Sequence, residues 1–180
     1  MVWVQRAGDV IPQVIKVIKE KRKNDLALIN PPDKCPVCGS KVVRDKIKLG
    51  KKEKEEKYIR CTGEFKCSSQ VIERIKHFSS KSAFDIDGLG EKQINDYYSE
   101  KLIKSPVDIF YLERKYKDNP PPFWRYTSGS KTKIGTIKDS ALKLFEAINK
   151  KREIDLDRFL FSLGIRHLGL SSADLIANYY

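Results

Sequence analysis

A chain of 180 residues is narrowed first by what it does without. No stretch of about 18 apolar residues occurs, so no membrane-spanning helix is expected. No signal-peptide pattern opens the sequence, which points away from an oxidising compartment. Histidine is scarce, with two in the whole chain. No nucleotide-binding lysine motif, nucleophile–base pairing or catalytic pair of carboxylates can be picked out. Asp85 and Asp87 read as turn and cap residues. Acidic residues are too few to balance the basic ones: 24 Asp and Glu against 36 Lys and Arg leave a net charge of +12 and a pI near 9.5. Such an excess favours polyanions through counterion release and steering, with nucleic acid ahead of an anionic membrane surface. By itself the excess would equally suit a solvated face.

Cysteine is also scarce, and its placement is the most informative feature present. The four fall in two short-spaced pairs, Cys35-Pro36-Val37-Cys38 and Cys61 with Cys67. Thiolates spaced in this way can close on one metal from two loops, and four of them suit a tetrahedral Zn²⁺ with no open position. A closed site organises structure and holds no reactive water. Two disulfides or four free thiols are the competing readings, but short-loop bridges would staple almost nothing. A redox pair is disfavoured because no βαβ pattern surrounds it. Gly39 and Gly63 each offer the positive φ that turns N–H groups toward a thiolate. Residues 39–60 leave room for one strand out and one back.

Along the chain, Val2–Arg6 and Gln13–Ile18 read as strands joined by a turn at Ala7-Gly8-Asp9. Two strands are too few for an independent sheet, so residues 1–29 read as the tail end of a β domain and a connector. Asn30-Pro31-Pro32-Asp33 marks a boundary. Residues 30–72 form the cysteine module, in which the mixed-charge tract Gly50–Lys57 reads as a solvated hairpin tip. From Ser68 the apolar period becomes helical, with Val71, Ile72, Ile75 and Phe78 on one face. Further helices are expected over 82–86, along a stripe of Ile94, Tyr97, Tyr98 and Leu102, after Pro106, from Ile137 to Ile148, around Leu156–Leu163, and from Ser171 to Tyr180. Lys117–Ser130 reads as a long loop, and Trp3 and Trp124 as core or loop anchors. The fold class is mainly α with small β parts. The chain is expected to be a fragment, beginning within one domain and stopping within a helix.

Gly88-Leu89-Gly90 lies between helical stretches in the arrangement of a helix-hairpin-helix. Glycines let the backbone turn tightly, and N–H groups at the next helix start can then seat a phosphate. Leu89 would pack between the helices, and Lys92 could add a charge contact. Gly164-Ile165-Arg166-His167-Leu168-Gly169 repeats the theme with wider glycine spacing. Arg166 and His167 are candidates for reaching a phosphate, and Ser171 for capping the next helix. Ile134–Ala141 is a third and weaker candidate, since its second glycine is missing. His77 reads as a packing or capping residue.

In order and combination these residues resemble the middle-to-C-terminal part of bacterial NAD-dependent DNA ligases. Arg6-Ala7-Gly8-Asp9-Val10-Ile11-Pro12 looks like the close of that family's OB domain. Cys35-Pro36-Val37-Cys38-Gly39, Arg60-Cys61 and Cys67 look like its zinc module. Ile75–Phe78 with Phe84–Gly90, and later Leu163–Gly169, look like its helix-hairpin-helix domain, here 73–180. The resemblance implies one structural zinc on Cys35, Cys38, Cys61 and Cys67, and DNA contacts from Gly88, Leu89, Gly90, Lys92, Gly164, Arg166, His167 and Gly169. It implies a parent enzyme of the bacterial cytoplasm, using NAD and Mg²⁺, in which a lysine is adenylated, AMP passes to a nicked 5′-phosphate, and the 3′-hydroxyl displaces AMP. The adenylation motif is outside this sequence, so the fragment would grip nicked duplex DNA beside the rest of the ligase chain without sealing it. Two other readings stand beside this one: a zinc-ribbon scaffold docking a protein partner, and a zinc and helix-hairpin-helix module of another repair enzyme.

Overall fold

The computed structural model describes residues 1–8, 10–23, 26–27, 29–49, 52–128 and 134–180. It is mostly helical with two small sheets and divides into two units, Met1–Asp33 and Lys34–Tyr180.

The first unit is a hairpin. Strands β1 (Val2–Ala7) and β2 (Ile11–Val17) pair antiparallel, from Val2 opposite Val17 to Ala7 opposite Ile11, with a bulge between Trp3 and Val4. Alternating β-branched residues favour extended backbone, and Gly8 takes a φ of +63° between the strands. The strand begins at Ile11 rather than at the expected Gln13, because Pro12 is tolerated near the start of a strand that has only one neighbour. The apolar residues of this hairpin stay in solvent, Trp3 at 62% exposure.

The second unit begins with an antiparallel pair, β3 (Val42–Leu49) and β4 (Lys52–Cys61), the strand out and strand back anticipated between the cysteines. The tip expected at Gly50–Lys57 lies partly outside the described residues. A 3-10 turn at Glu64–Lys66 leads into helix α1 (Ser68–Ser79). Val71, Ile75 and Phe78 of α1, on the periodicity read from sequence, enter a single core. To it α2 (Glu91–Ser99) adds Ile94 and Tyr97, and α4 (Asp139–Lys150) adds Ala141, Leu144, Phe145 and Ile148. A 3-10 segment at Pro106–Tyr111 and the short α3 (Leu112–Tyr116) contribute Ile109 and Leu112. Helices α5 (Leu156–Ser162) and α6 (Leu170–Tyr179) pack on each other.

Four local expectations are corrected. Residues 82–86 form a closed turn and not a helix: the Ala83 and Asp85 N–H groups both donate to Ser80 O at 2.9 Å, and Asp85 adopts a φ of +52° that no right-handed helix accepts. Leu102 is buried but lies beyond α2, which ends before Lys101 turns at a φ of +60°. Pro106 opens a 3-10 segment, where Asp108 accepts from the Lys104 and Ser105 N–H groups at 2.9 and 3.0 Å in a capping box. The Pro-rich stretch from Lys117, whose last residues fall outside the described set, is more than a loop. Its 3-10 turn Pro122–Trp124 sinks Trp124 to 4% exposure, edge-on to Phe145, with its indole N–H donating to Tyr97 Oη at 3.1 Å. Burying so large a ring with its polar atom satisfied holds the segment down.

Candidate metal centre and hairpin surface

The four cysteines converge. Their Sγ atoms all lie within 4.8 Å of one another, with Cys38 and Cys61 at 3.4 Å. A ZnS₄ tetrahedron with bonds of about 2.3 Å has edges of about 3.8 Å, so the cluster has the right size as well as the right donors. Cys35 and Cys38 sit on a tight turn closed by Gly39 N–H donating to Cys35 O at 2.9 Å and Cys35 N–H donating to Ser40 O at 2.8 Å, with Gly39 at a φ of +70°. Cys61 ends β4, and Cys67, 2% exposed, is the N-cap of α1. Protonation within the cluster is uneven. Hydrogen bonds from the Ser40 hydroxyl and N–H pull Cys38 down to about 6. At Cys61 the Gly63 N–H acts downward, but burial and the neighbouring sulfurs of Cys38 and Cys35 outweigh it and push the thiol up to about 11. Four thiolates cannot crowd together without a cation, so metal binding must displace protons and is favoured as pH rises.

Gly63 corrects an expectation. Its φ is −73°, open to any residue. The reason for glycine is space: a Cβ there would lie 2.7 Å from Cys38 Sγ, 3.0 Å from Ser40 Oγ and 3.1 Å from Cys61 Sγ. The left-handed residue in that loop is Glu64, at a φ of +40°.

The module is bolted to the helices. Gln70 Nε2 donates to Cys61 O at 3.1 Å, and the Arg74 guanidinium lies over the exposed Phe65 ring at 4.3 Å. Neither contact was visible in sequence, because each joins polar or surface residues from separate elements.

Two turns share one backbone geometry. In hairpin 1, Asp85-Ile86-Asp87-Gly88-Leu89-Gly90, the left-handed residues are Asp85 and Gly88 (φ +52° and +80°). In hairpin 2, Gly164-Ile165-Arg166-His167-Leu168-Gly169, they are Gly164 and His167 (φ +62° and +65°). Leu89 N–H donates to Ile86 O at 3.3 Å, and Leu168 N–H donates to Ile165 O at 3.0 Å. Gly90 and Gly169 then serve as N-caps of α2 and α6, both fully extended and without a side-chain cap. Four positions on, Ile94 and Ala173 donate back to them and are buried. The wider glycine spacing of the second segment is therefore not a wider hairpin: His167 stands where Gly88 stands, and Gly164 corresponds to Asp85. Ser171 lies inside α6 and is not its cap.

Leu89 is buried as expected, Leu168 half-buried, and His167, Arg166 and Lys92 are exposed. Among the described residues no ion pair engages Lys92, while the adjacent Glu91 is bound by Lys76 at 2.6 Å, a contact that lowers its pKa. The third candidate differs. Gly135, at a φ of +85°, donates its N–H to Tyr126 O at 2.9 Å, and Tyr126 N–H donates to Thr136 O at 3.0 Å. That turn is committed to a backbone pairing before α4 starts.

At the two extended glycines the fold leaves room for a side chain. A Cβ on Gly169 would meet nothing within 4 Å, and one on Gly90 only the flexible end of Gln93 at 3.3 Å. Neither φ requires glycine. The bare backbone leaves the first N–H groups of α2 and α6, which have no partner within their helices, facing the outside of the molecule.

Fold and site together define a class: a four-cysteine cluster sized for a metal ion, running directly into a helical region that carries two matched hairpins. No family model matches the chain. Among curated proteins it is similar to the DNA ligase of Nitrobacter winogradskyi, at 46% identity over 179 residues. It is 44% identical over 180 residues to that of Rhodospirillum rubrum, and 46% identical over 183 residues to that of Brucella anthropi. These matches cover 99–100% of this chain but 23–24% of each relative, so the chain spans about a quarter of their length. The similarity is that of a fragment of a bacterial DNA ligase.

Proposed function

We propose that this chain is the DNA-gripping part of a bacterial NAD-dependent DNA ligase, working in the cytoplasm beside the rest of that enzyme. In this reading residues 1–29 close an OB domain, 30–72 form a zinc finger, and 73–180 form a helix-hairpin-helix domain. Cys35, Cys38, Cys61 and Cys67 hold one structural Zn²⁺, which supplies rigidity and no reaction step. Catalysis with NAD and Mg²⁺ belongs to the parent enzyme, and this chain alone seals no nick.

The observation that carries the proposal is the pair of glycine N-caps, kept bare where a side chain would fit. A phosphate oxygen can approach such a helix start closely, drawn by unpartnered N–H donors and by the positive end of the helix. Two such seats, a net charge of +12, and Lys92, Arg166 and His167 nearby suit the backbone of duplex DNA, whatever its sequence. Gly88 and Leu89 shape the first seat, and Gly164 the second.

Fluorescence anisotropy with nicked and intact duplexes across a salt series tests this. Affinity should fall with salt by a log–log slope of about −0.9 for each phosphate neutralised, with little dependence on sequence. A preference for the nick would support the ligase reading. No binding at low salt by the zinc-loaded chain would overturn it.

A further inference from the structure

Helix α1 and hairpin 2 meet at one side chain. His77, in the last turn of α1, places Nε2 at 2.8 Å from Phe161 O, 84 positions further along the chain. A carbonyl only accepts, so Nε2 carries the hydrogen and donates. Phe161 lies in the last turn of α5, where the final carbonyls have no partner within the helix. The same oxygen accepts from Gly164 N–H at 3.1 Å. The imidazole also packs against the Phe161 ring at 4.6 Å, and its Cδ2 stands 3.4 Å from where a Gly164 Cβ would be. One ring thus meets the carbonyl that ends α5, the side chain of that residue, and the bare face of the glycine that starts hairpin 2.

Beside this contact the two elements part around a cleft of about 370 Å³, lined by Gln70, Glu73, Arg74, Ile165 and Leu168 together with His77 and Gly164. Close packing is therefore not what joins them there. Hairpin 1 is held by ion pairs instead: at the position of Gly164 it carries Asp85, bound by Lys151 Nζ at 3.4 Å, and Glu91 just after it is bound by Lys76 of α1 at 2.6 Å.

We infer that His77 is the positioning residue of hairpin 2, capping α5 from α1 and so fixing hairpin 2 to the helix that Cys67 caps. This rests on the geometry at His77. The consequence for DNA rests on the function proposed above.

His77→Gln and His77→Asn separate this role from bulk packing. A glutamine amide nitrogen falls near the place of Nε2, and an asparagine nitrogen near that of Nδ1. Both variants stay polar at a half-buried site. Amide hydrogen exchange is read at Gly164 and Leu168, with Leu89 of hairpin 1 as the internal control and zinc content measured on each sample. Exchange at Gly164 and Leu168 should rise about tenfold or more in His77→Asn, stay near the parent rate in His77→Gln, and be unchanged at Leu89 in both. Zinc should remain at the parent level. The inference fails if both variants exchange as the parent does, if the two are indistinguishable, or if Leu89 accelerates as much as Leu168. Anisotropy on the same variants tests the other premise. Faster exchange with unchanged DNA affinity would uphold the brace and remove hairpin 2 from the DNA-binding surface.

Discussion

Hairpins 1 and 2 reach one backbone path with different residues. Each has two left-handed positions three apart and spends glycine on only one: hairpin 1 on the second, Gly88, and hairpin 2 on the first, Gly164. The remaining position holds Asp85 in one and His167 in the other. A non-glycine residue in that region costs on the order of 1 kcal/mol or more, so each hairpin keeps one strained residue. Besides Ile86/Ile165 and Leu89/Leu168, the two share the extended glycine at the helix start, where neither φ nor crowding demands it. Glycine is a favourable N-cap, but unlike serine or aspartate it leaves the helix N–H groups open to a ligand from outside.

The largest effect should come from removing the cysteine cluster from which α1 starts. Cys61→Ser should lose the metal and several kcal/mol of stability, since metal binding and folding of such a module are coupled. Zinc analysis and urea unfolding would register this in one experiment. Gly88→Val should cost about 2 kcal/mol, because a β-branched residue is forced to a φ of +80°, and should weaken DNA binding as well. Gly90→Val and Gly169→Val should lower the unfolding free energy measured in urea by only about 1 kcal/mol, the loss of a favoured N-cap residue. Their DNA affinity should nevertheless fall about tenfold, or about 1.4 kcal/mol, by anisotropy. Equal affinities would break the comparison where it matters most. The smallest change has the opposite sign: His167→Gly should raise stability by up to about 1 kcal/mol by relieving the left-handed histidine. A loss of stability there would mean that the imidazole supports the fold.

Sequence periodicity located the helical faces, since burial of Val71, Ile75 and Phe78 follows from spacing alone. The cysteine cluster was equally readable, because ligand type and spacing carry the chemistry. Aligning the second hairpin by its glycines shifted it. Glycine is only the cheapest occupant of a left-handed position, and His167 filled one that a search for glycine pairs passes over. The role of Gly63 was misread for a related reason: glycine may relieve either torsion or crowding, and only coordinates show which. That His77 packs or caps and that Trp124 anchors its segment were readable from residue type and setting; their partners, Phe161 and Tyr97, were not, as these depend on long-range packing.

The two tryptophans give this chain an internal optical contrast. Trp3 in the first unit is mostly in solvent, while Trp124 is enclosed by Tyr97, Phe123 and Phe145 in the core of the second. Replacing either by phenylalanine leaves a single emitter whose colour reports on one unit. Emission from Trp124 should shift to the red when the helical core opens, whatever the state of the hairpin before Asp33. That from Trp3 should start red and move little. Opening of the helical core could thus be followed on its own, without any added label.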